Sequence, residues 1–143
     1  MPVKIIGMIG VASPSSKASL HVIEGGLSPP YLAEFARAHD RAGFDMVLVG
    51  YSSSSAEGFL VALYAAMQTD RLGYLIAHRP GFVAPTLLAR KVATLDHLTG
   101  GRLALHIITG KSDDEQQGEA AGEAEAPPAE RQPCHEPPVG EQE

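Results

Sequence analysis

Two of the six histidines of this sequence stand where a ligand can be bound. His78 follows one predicted β-strand, and His106 lies near the end of another. Histidine can hold a metal ion or transfer a proton near neutral pH, and parallel α/β folds collect their ligands at the carboxyl ends of their strands. The histidines show no HExxH or other metal-ligand spacing, and His39 and His97 fall on predicted helices. We therefore expect no metal site and take His78 and His106 as candidate functional residues.

Other kinds of site are excluded by residue type or spacing. The run Thr109-Gly110-Lys111-Ser112 resembles the end of a phosphate-binding P-loop, but that motif requires a glycine at position 105, where the chain has leucine. The single cysteine, Cys134, excludes an internal disulfide and a cysteine-based zinc site. Residues 1–117 carry no basic stripe and no row of stacking aromatics, so nucleic acid is a poor candidate partner.

The elements that must position the two histidines alternate along the chain between strands and helices. Strands are predicted at 4–9, 44–49, 71–77 and 102–109, and helices at 31–42, at 57–68 and from Pro85 to the Gly100-Gly101 stop. The strands are too apolar to be covered on one side only, which is typical of a parallel sheet. The sequence therefore predicts the α/β class, with four parallel strands in sequential order and right-handed crossovers.

The composition of the chain changes near residue 117. Residues 1–117 contain ten basic and ten acidic residues, whereas residues 118–143 contain seven Glu against one Arg and carry the whole net charge of −6. Five of the eleven prolines also lie in 118–143, with almost no apolar side chain to bury. We expect a folded domain over 1–117 and a disordered tail over 118–143. Because no run of about 18 apolar residues and no secretory leader is present, we expect a cytoplasmic protein that does not span a membrane.

Three motifs follow one another along residues 3 to about 117. They are the first strand IIGMIG, then AGFDMVLVGY, and then RPGFVAPTLLARKVATLDHLTGGRLALHIITG, which contains Pro-Gly, Gly-Gly-Arg and Thr-Gly. In these motifs the chain resembles the bacterial luciferase-like flavin-dependent monooxygenases, and within them the alkanesulfonate and dimethylsulfone monooxygenase branch. This resemblance implies an enzyme built on a (β/α)₈ barrel. Such an enzyme takes reduced FMN from a separate NAD(P)H-dependent FMN reductase and uses O₂ to cleave a carbon–sulfur bond of a small organosulfur substrate.

The same resemblance implies roles for particular residues. It assigns catalytic roles to His78, Arg79 and His106. It places Tyr51 and Ser55 at the substrate, although members of the sulfonate branch commonly have a cysteine where this chain has Ser55. A reduced flavin is anionic near its pyrimidine edge, so backbone N–H groups, a hydroxyl and an imidazole or guanidinium suit it chemically. The flavin-binding residues that it implies are Ala77, His78, His106, Thr109 and Gly110.

The chain also departs from the family pattern. A barrel of this kind typically has about 250 residues, and phosphate recognition commonly lies after strands seven and eight, whereas this sequence predicts four strands. Lys111 stands where the family usually continues with a second glycine. The resemblance thus extends to the N-terminal half of such a barrel. A non-catalytic remnant or association module and a deazaflavin-dependent oxidoreductase on the same scaffold remain as alternatives.

An open half-barrel is also expected to self-associate. Strands one and four would have unpaired edges, and the inward side of the sheet would lack its opposing half. The side chains expected on that inward side are Ile6, Met8, Val47, Val49, Leu75 and Leu105.

Overall fold

The structure is a computed structural model, and it describes residues 3–11, 26–51 and 55–109. Strands and helices alternate through these residues, as predicted. The elements are β1 (Ile6–Met8), α1 (Pro29–Arg41), β2 (Met46–Val49), α2 (Gly58–Ala66), β3 (Gly73–His78), α3 (Pro85–Thr99) and β4 (Leu103–Ile107). Strand β1 is shorter than predicted, although the amide of Ile9 still donates to the carbonyl oxygen of Leu48 at 3.0 Å.

The four strands form one sheet in the order β1-β2-β3-β4, and every neighbouring pair is parallel. This confirms the predicted α/β class and strand order. All carboxyl ends of the strands therefore meet at one edge of the sheet, which we call the carboxyl edge, and all amino ends meet at the opposite, amino edge.

Local signals explain the helix boundaries. Two prolines occupy the first turn of α1, where the missing N–H groups cost no hydrogen bond. The Glu57 carboxylate caps α2 by accepting a hydrogen bond from the amide of Leu60 at 2.8 Å. Helix α3 begins at Pro85 and ends before Gly100, whose φ of 65° is the left-handed conformation that glycine adopts without strain.

The helices cover one side of the sheet, which we call the helix face. Side chains alternate between the two sides of each strand, and Val47, Val49, Tyr74 and Ile76 all point into the core on the helix face. Gly7 lies on the same face, so close to the ring of His39 on α1 that a Cβ atom would not fit. The ring of His39 therefore packs against the helix face of the sheet.

We call the other side of the sheet the inner face. Only some of the side chains that were predicted to point to this face do so. Strand register places Val47, Val49 and Leu105 on the helix face, so the prediction that they point inward is wrong. Their strands are apolar on both sides, and a continuous apolar run does not reveal which residues point which way. Ile6, Met8 and Leu75 do point inward, as predicted. Within the described strands, the side chains on the inner face are those of Ile6, Met8, Met46, Leu48, Leu75, Ala77, Ala104 and His106.

Arg102 joins three elements at the amino edge. Its guanidinium donates to the carbonyl oxygens of Ala66 at 3.1 Å and Leu72 at 3.0 Å, and its Nε donates to that of Thr99 at 2.8 Å. It also donates to the Thr69 hydroxyl at 3.2 Å. Two of the carbonyls belong to the last turns of α2 and α3, where a cation is favoured by the helix dipole. Arg102 therefore ties both helices to the start of β3.

The Thr69 hydroxyl extends this network to the buried phenol of Tyr74, since the two oxygens lie 2.7 Å apart. Burial raises the pKa of Tyr74, while the bond to Thr69 and the charge of Arg102 oppose that shift. The phenol therefore stays protonated at neutral pH as a member of the amino-edge network.

The predicted tail lies outside the described residues. The boundary at 117/118 and the disorder of residues 118–143 accordingly stay predictions. Among the helices that the structure describes, none is long and apolar enough to cross a membrane.

Candidate functional site

The ends of β3 and β4 lie side by side at the carboxyl edge. Ala77 is the register partner of His106, and His78 is the register partner of Ile107. The pairing continues one residue further, because the amide of Ile108 donates to the carbonyl oxygen of His78 at 3.0 Å. The structure thus brings together the two strand ends from which most candidate residues were taken.

Within this edge, Ala77 and His106 share the inner face. They follow Leu75 and Ala104 by two residues, and side chains two residues apart point to the same side of a sheet. Ala77 is buried, whereas His106 is exposed. Because alanine is small at both 77 and 104, the sheet offers a shallow apolar floor beside one exposed imidazole. A flat ligand could lie on this floor and be held at one side by His106.

His78 points to the opposite side of the sheet, into the helix face. Its ring makes an edge-to-face contact with Phe59 of α2, with the ring centroids 5.8 Å apart. The Nζ of Lys91 lies 4.6 Å from the Phe59 centroid and 3.2 Å from an oxygen of Glu57. The Nε2 of His78 is buried, and no group that the structure describes forms a hydrogen bond with it. The register therefore separates the ring of His78 from Ala77 and His106, and its predicted role at the flavin stays a prediction.

Burial lowers the pKa of His78, the Lys91 ammonium lowers it further, and the Glu57 carboxylate acts in the opposite direction. Phe59, Lys91 and Glu57 were not anticipated around this histidine. Phe59 and Lys91 belong to two different helices, and no local pattern indicates that they meet over the end of β3.

The lowered pKa of His78 predicts acid sensitivity. Below the ordinary pKa of 6.5 the unfolded chain binds a proton at this histidine more readily than the folded chain does. The free energy of unfolding should therefore fall as the pH drops below 6.5, by at most about 1.4 kcal/mol per pH unit from this group. Above pH 6.5 this histidine no longer lowers the free energy of unfolding. In His78→Phe, which keeps an apolar ring against Phe59, this part of the pH dependence should disappear.

Urea denaturation of both proteins between pH 5 and pH 8 measures the effect. His97→Phe, on the exposed side of α3, is the matched control and should keep the pH profile of the unmodified chain. Parallel profiles for the unmodified chain and His78→Phe would contradict the proposed linkage.

The other predicted site residues flank the same edge. Arg79 follows His78, is buried, and has its guanidinium carbon 5.2 Å from the centre of the Phe82 ring. Tyr51 and Ser55 are half-buried and follow β2, the neighbour of β3 in the sheet. Thr109 is exposed and follows β4, while Gly110 lies outside the described residues. The assigned roles of these residues stay predictions.

Solved structures with the same arrangement of strands and helices come from several enzymes. EDTA monooxygenase from Chelativorans sp. BNC1 aligns with 82% of this chain and 32% of its own, at 15% identity and a TM-score of 0.61. Riboflavin lyase RcaE, solved with modified FMN and riboflavin, aligns over 82% and 32%, at 17% identity and a TM-score of 0.62. Coenzyme F420-dependent tetrahydromethanopterin reductase from Methanopyrus kandleri aligns over 82% and 30%, at 18% identity and a TM-score of 0.65.

These likenesses define the fold as part of a TIM barrel of the luciferase-like type. The sequence profile of the luciferase-like monooxygenases matches residues 8–132, which is most of the chain. The chain therefore belongs to the luciferase-like monooxygenase family. It spans about a third of the length of the three solved structures.

Proposed function

We propose that this chain provides one wall of the flavin site of an FMNH₂-dependent monooxygenase. The observation that carries the proposal is the pairing of Ala77 with His106 on the inner face at the carboxyl edge. Ligands of parallel α/β barrels bind at this edge, and membership of the luciferase-like family makes a flavin the expected ligand.

The residues at this edge suit a flavin in shape and in charge. The isoalloxazine ring is flat, and Ala77 and Ala104 offer a floor without protruding side chains. His106 and Thr109 carry donors that can bind the anionic edge of the ring, and Arg79 adds a positive charge near the end of β3. Reduced flavin, when bound, supplies the electrons with which O₂ is activated. The residues of this chain would hold the ring, orient it and exclude water from one side.

The proposed substrate is a small organosulfur compound, an alkanesulfonate or a sulfone. Support comes from the sequence resemblance to the sulfonate branch and from the position of Tyr51 and Ser55 beyond β2, next to the proposed flavin wall. A hydroxyl from each side chain could bind a sulfonate or sulfone oxygen. An NAD(P)H-dependent FMN reductase is the proposed partner that delivers the reduced flavin.

A deazaflavin is the alternative cofactor. The F420-dependent reductase has a higher TM-score than the other two solved structures described above. A deazaflavin shares the flat tricyclic shape and the anionic pyrimidine edge, so the alanine floor and His106 would suit it equally. The two cofactors differ in their reaction with O₂, so measurements of binding and turnover can show which of them the chain uses.

The test is a titration of the purified chain with oxidised FMN, followed by flavin fluorescence, and an anaerobic calorimetric titration with FMNH₂ and with F420. We expect saturable FMNH₂ binding that is about tenfold weaker in His106→Ala, the loss of one hydrogen bond to a charged ligand. His97→Ala is the control and should bind like the unmodified chain. Preferential binding of F420 would favour the alternative cofactor. If neither oxidised FMN nor FMNH₂ nor F420 binds, the proposed site is wrong and an association module is favoured.

A further inference from the structure

Among the residues that the structure describes, the sheet has two unpaired edges and one face that no helix covers. There β1 pairs only with β2, and β4 pairs only with β3. The outer backbone groups of both strands pair with no described strand, and backbone groups at such an edge can bind a further parallel strand.

The inner face is apolar and only partly covered. Ile6 and Met8 on β1 are 49% and 39% exposed. On the next strands Met46, Leu48, Leu75 and Ala104 are half-buried, and Ala77 is buried. Monomeric proteins rarely leave a contiguous apolar patch of more than a few hundred Å² in water. In a closed barrel this face would be filled by side chains from the strands opposite.

We propose that two copies of this chain close one eight-stranded parallel barrel, with β4 of each copy pairing with β1 of the other. Four strands from each copy give eight, which is the number that closes a (β/α)₈ barrel. A two-fold axis along the barrel keeps every strand parallel, pairs both open edges at once and leaves no edge for further addition. The two inner faces then fill the interior together.

This arrangement has a consequence for the candidate site. A two-fold axis along the barrel preserves strand direction, so the carboxyl edges of both copies open into the same mouth. That mouth would hold two Ala77–His106 pairs facing one another across the axis, and a ligand there would contact both copies. The inference rests on the sheet and its edges, and it stands whether or not the ligand is a flavin.

Two copies could instead associate through the outer groove between α2 and α3. Leu60, Leu87 and Leu98 are exposed along it, beside the cations Arg90 and Lys91, and its volume is about 290 Å³. Association through this groove would leave the inner face and both sheet edges open. The two arrangements can therefore be separated by one substitution on each surface.

The first measurement is the molar mass of the purified 143-residue chain by light scattering, over a hundredfold range of concentration. We expect twice the 15.1 kDa mass of one chain. Met8→Asp places a charge on the inner face and should raise the dissociation constant of the dimer at least about a hundredfold, because an unpaired charge would be buried. Leu60→Asp, at a side chain 66% exposed on α2, is the matched control and should leave the dimer intact.

The second measurement is amide hydrogen exchange of the unmodified chain at high and low concentration, which does not depend on whether Met8→Asp folds. Amides of β1 and β4 should lose protection on dilution, while those of β2 and β3 should keep it. Three results would overturn the proposal: a monomer at every concentration, a dimer that Leu60→Asp dissociates and Met8→Asp does not, or edge-strand protection that dilution leaves unchanged. Neither measurement contains a flavin, so failure here is distinct from failure of the proposed cofactor site.

Discussion

The unmodified 143-residue chain is expected to show no detectable turnover with FMN, an NAD(P)H-dependent FMN reductase, O₂ and a sulfonate or sulfone. The strand ends of one copy can contact only one side of a flavin, and a second copy in the proposed dimer would repeat the same four strand ends without supplying those of strands five to eight. Phosphate recognition in such barrels commonly lies after strands seven and eight, and the chain aligns with about a third of the related structures. Losing several charge-assisted hydrogen bonds, each worth about 1.5–3 kcal/mol, weakens binding by orders of magnitude.

Sulfite release from a sulfonate measures this turnover, with the reductase alone as the background. Fusing the C-terminal half of a homologous monooxygenase to the chain should restore activity. In that chimera His106→Ala and Thr109→Ala should each lower kcat/KM by about tenfold or more, whereas His97→Ala on α3 should have little effect. Sulfite release by the unmodified chain above background would contradict the expectation that this chain lacks flavin contacts needed for turnover. Equal effects of all three substitutions would contradict the site assignment.

Arg102→Ala is expected to cost about 2–4 kcal/mol of the free energy of unfolding. The substitution leaves the carbonyls of Ala66, Leu72 and Thr99 without their donor in a half-buried setting. Arg102→Lys should recover only part of this loss, because an ammonium lacks the planar fork that reaches several acceptors at once.

Urea denaturation gives the free energies directly. Arg90→Ala, at an exposed position on α3, is the control and should change stability by less than about 0.5 kcal/mol. An Arg102→Ala protein as stable as the Arg90→Ala control would show that the amino-edge network contributes nothing.

The elements of this fold could be predicted because their signals are local. The proline at 85, the stripe of Leu88, Val92 and Leu95, and the glycine stop at 100 lie within one helix, and α3 has the predicted bounds. The strand order followed from the alternation of elements along the chain. A first-turn proline and a left-handed glycine mark the two ends of α3 within a few residues of each boundary.

The faces of the strands could not be predicted in the same way. Val47, Val49 and Leu105 belong to runs that are apolar on both sides, so composition does not distinguish the helix face from the inner face. The same ambiguity affected His78. It lies at the predicted strand end, but its side chain direction depends on strand register and on the arrival of Phe59 from α2.

Polar clusters of residues far apart in the sequence could not be predicted either. The acceptors of Arg102 lie as far as 36 positions away along the chain, and Lys91 is 34 positions from Glu57. Each pair is created by packing of helices on the sheet, which no short pattern encodes.

Amide chemical shifts of the isotope-labelled chain during titration with FMN test most directly whether a flavin binds on the inner face at the carboxyl edge. We predict that the largest saturable shifts occur at Ala77, His106 and Thr109, with little change at Gly100 and Gly101 on the amino edge. Shifts concentrated at Leu60, Leu87 and Leu98 between α2 and α3, or no saturable shifts at all, would contradict flavin binding at the carboxyl edge.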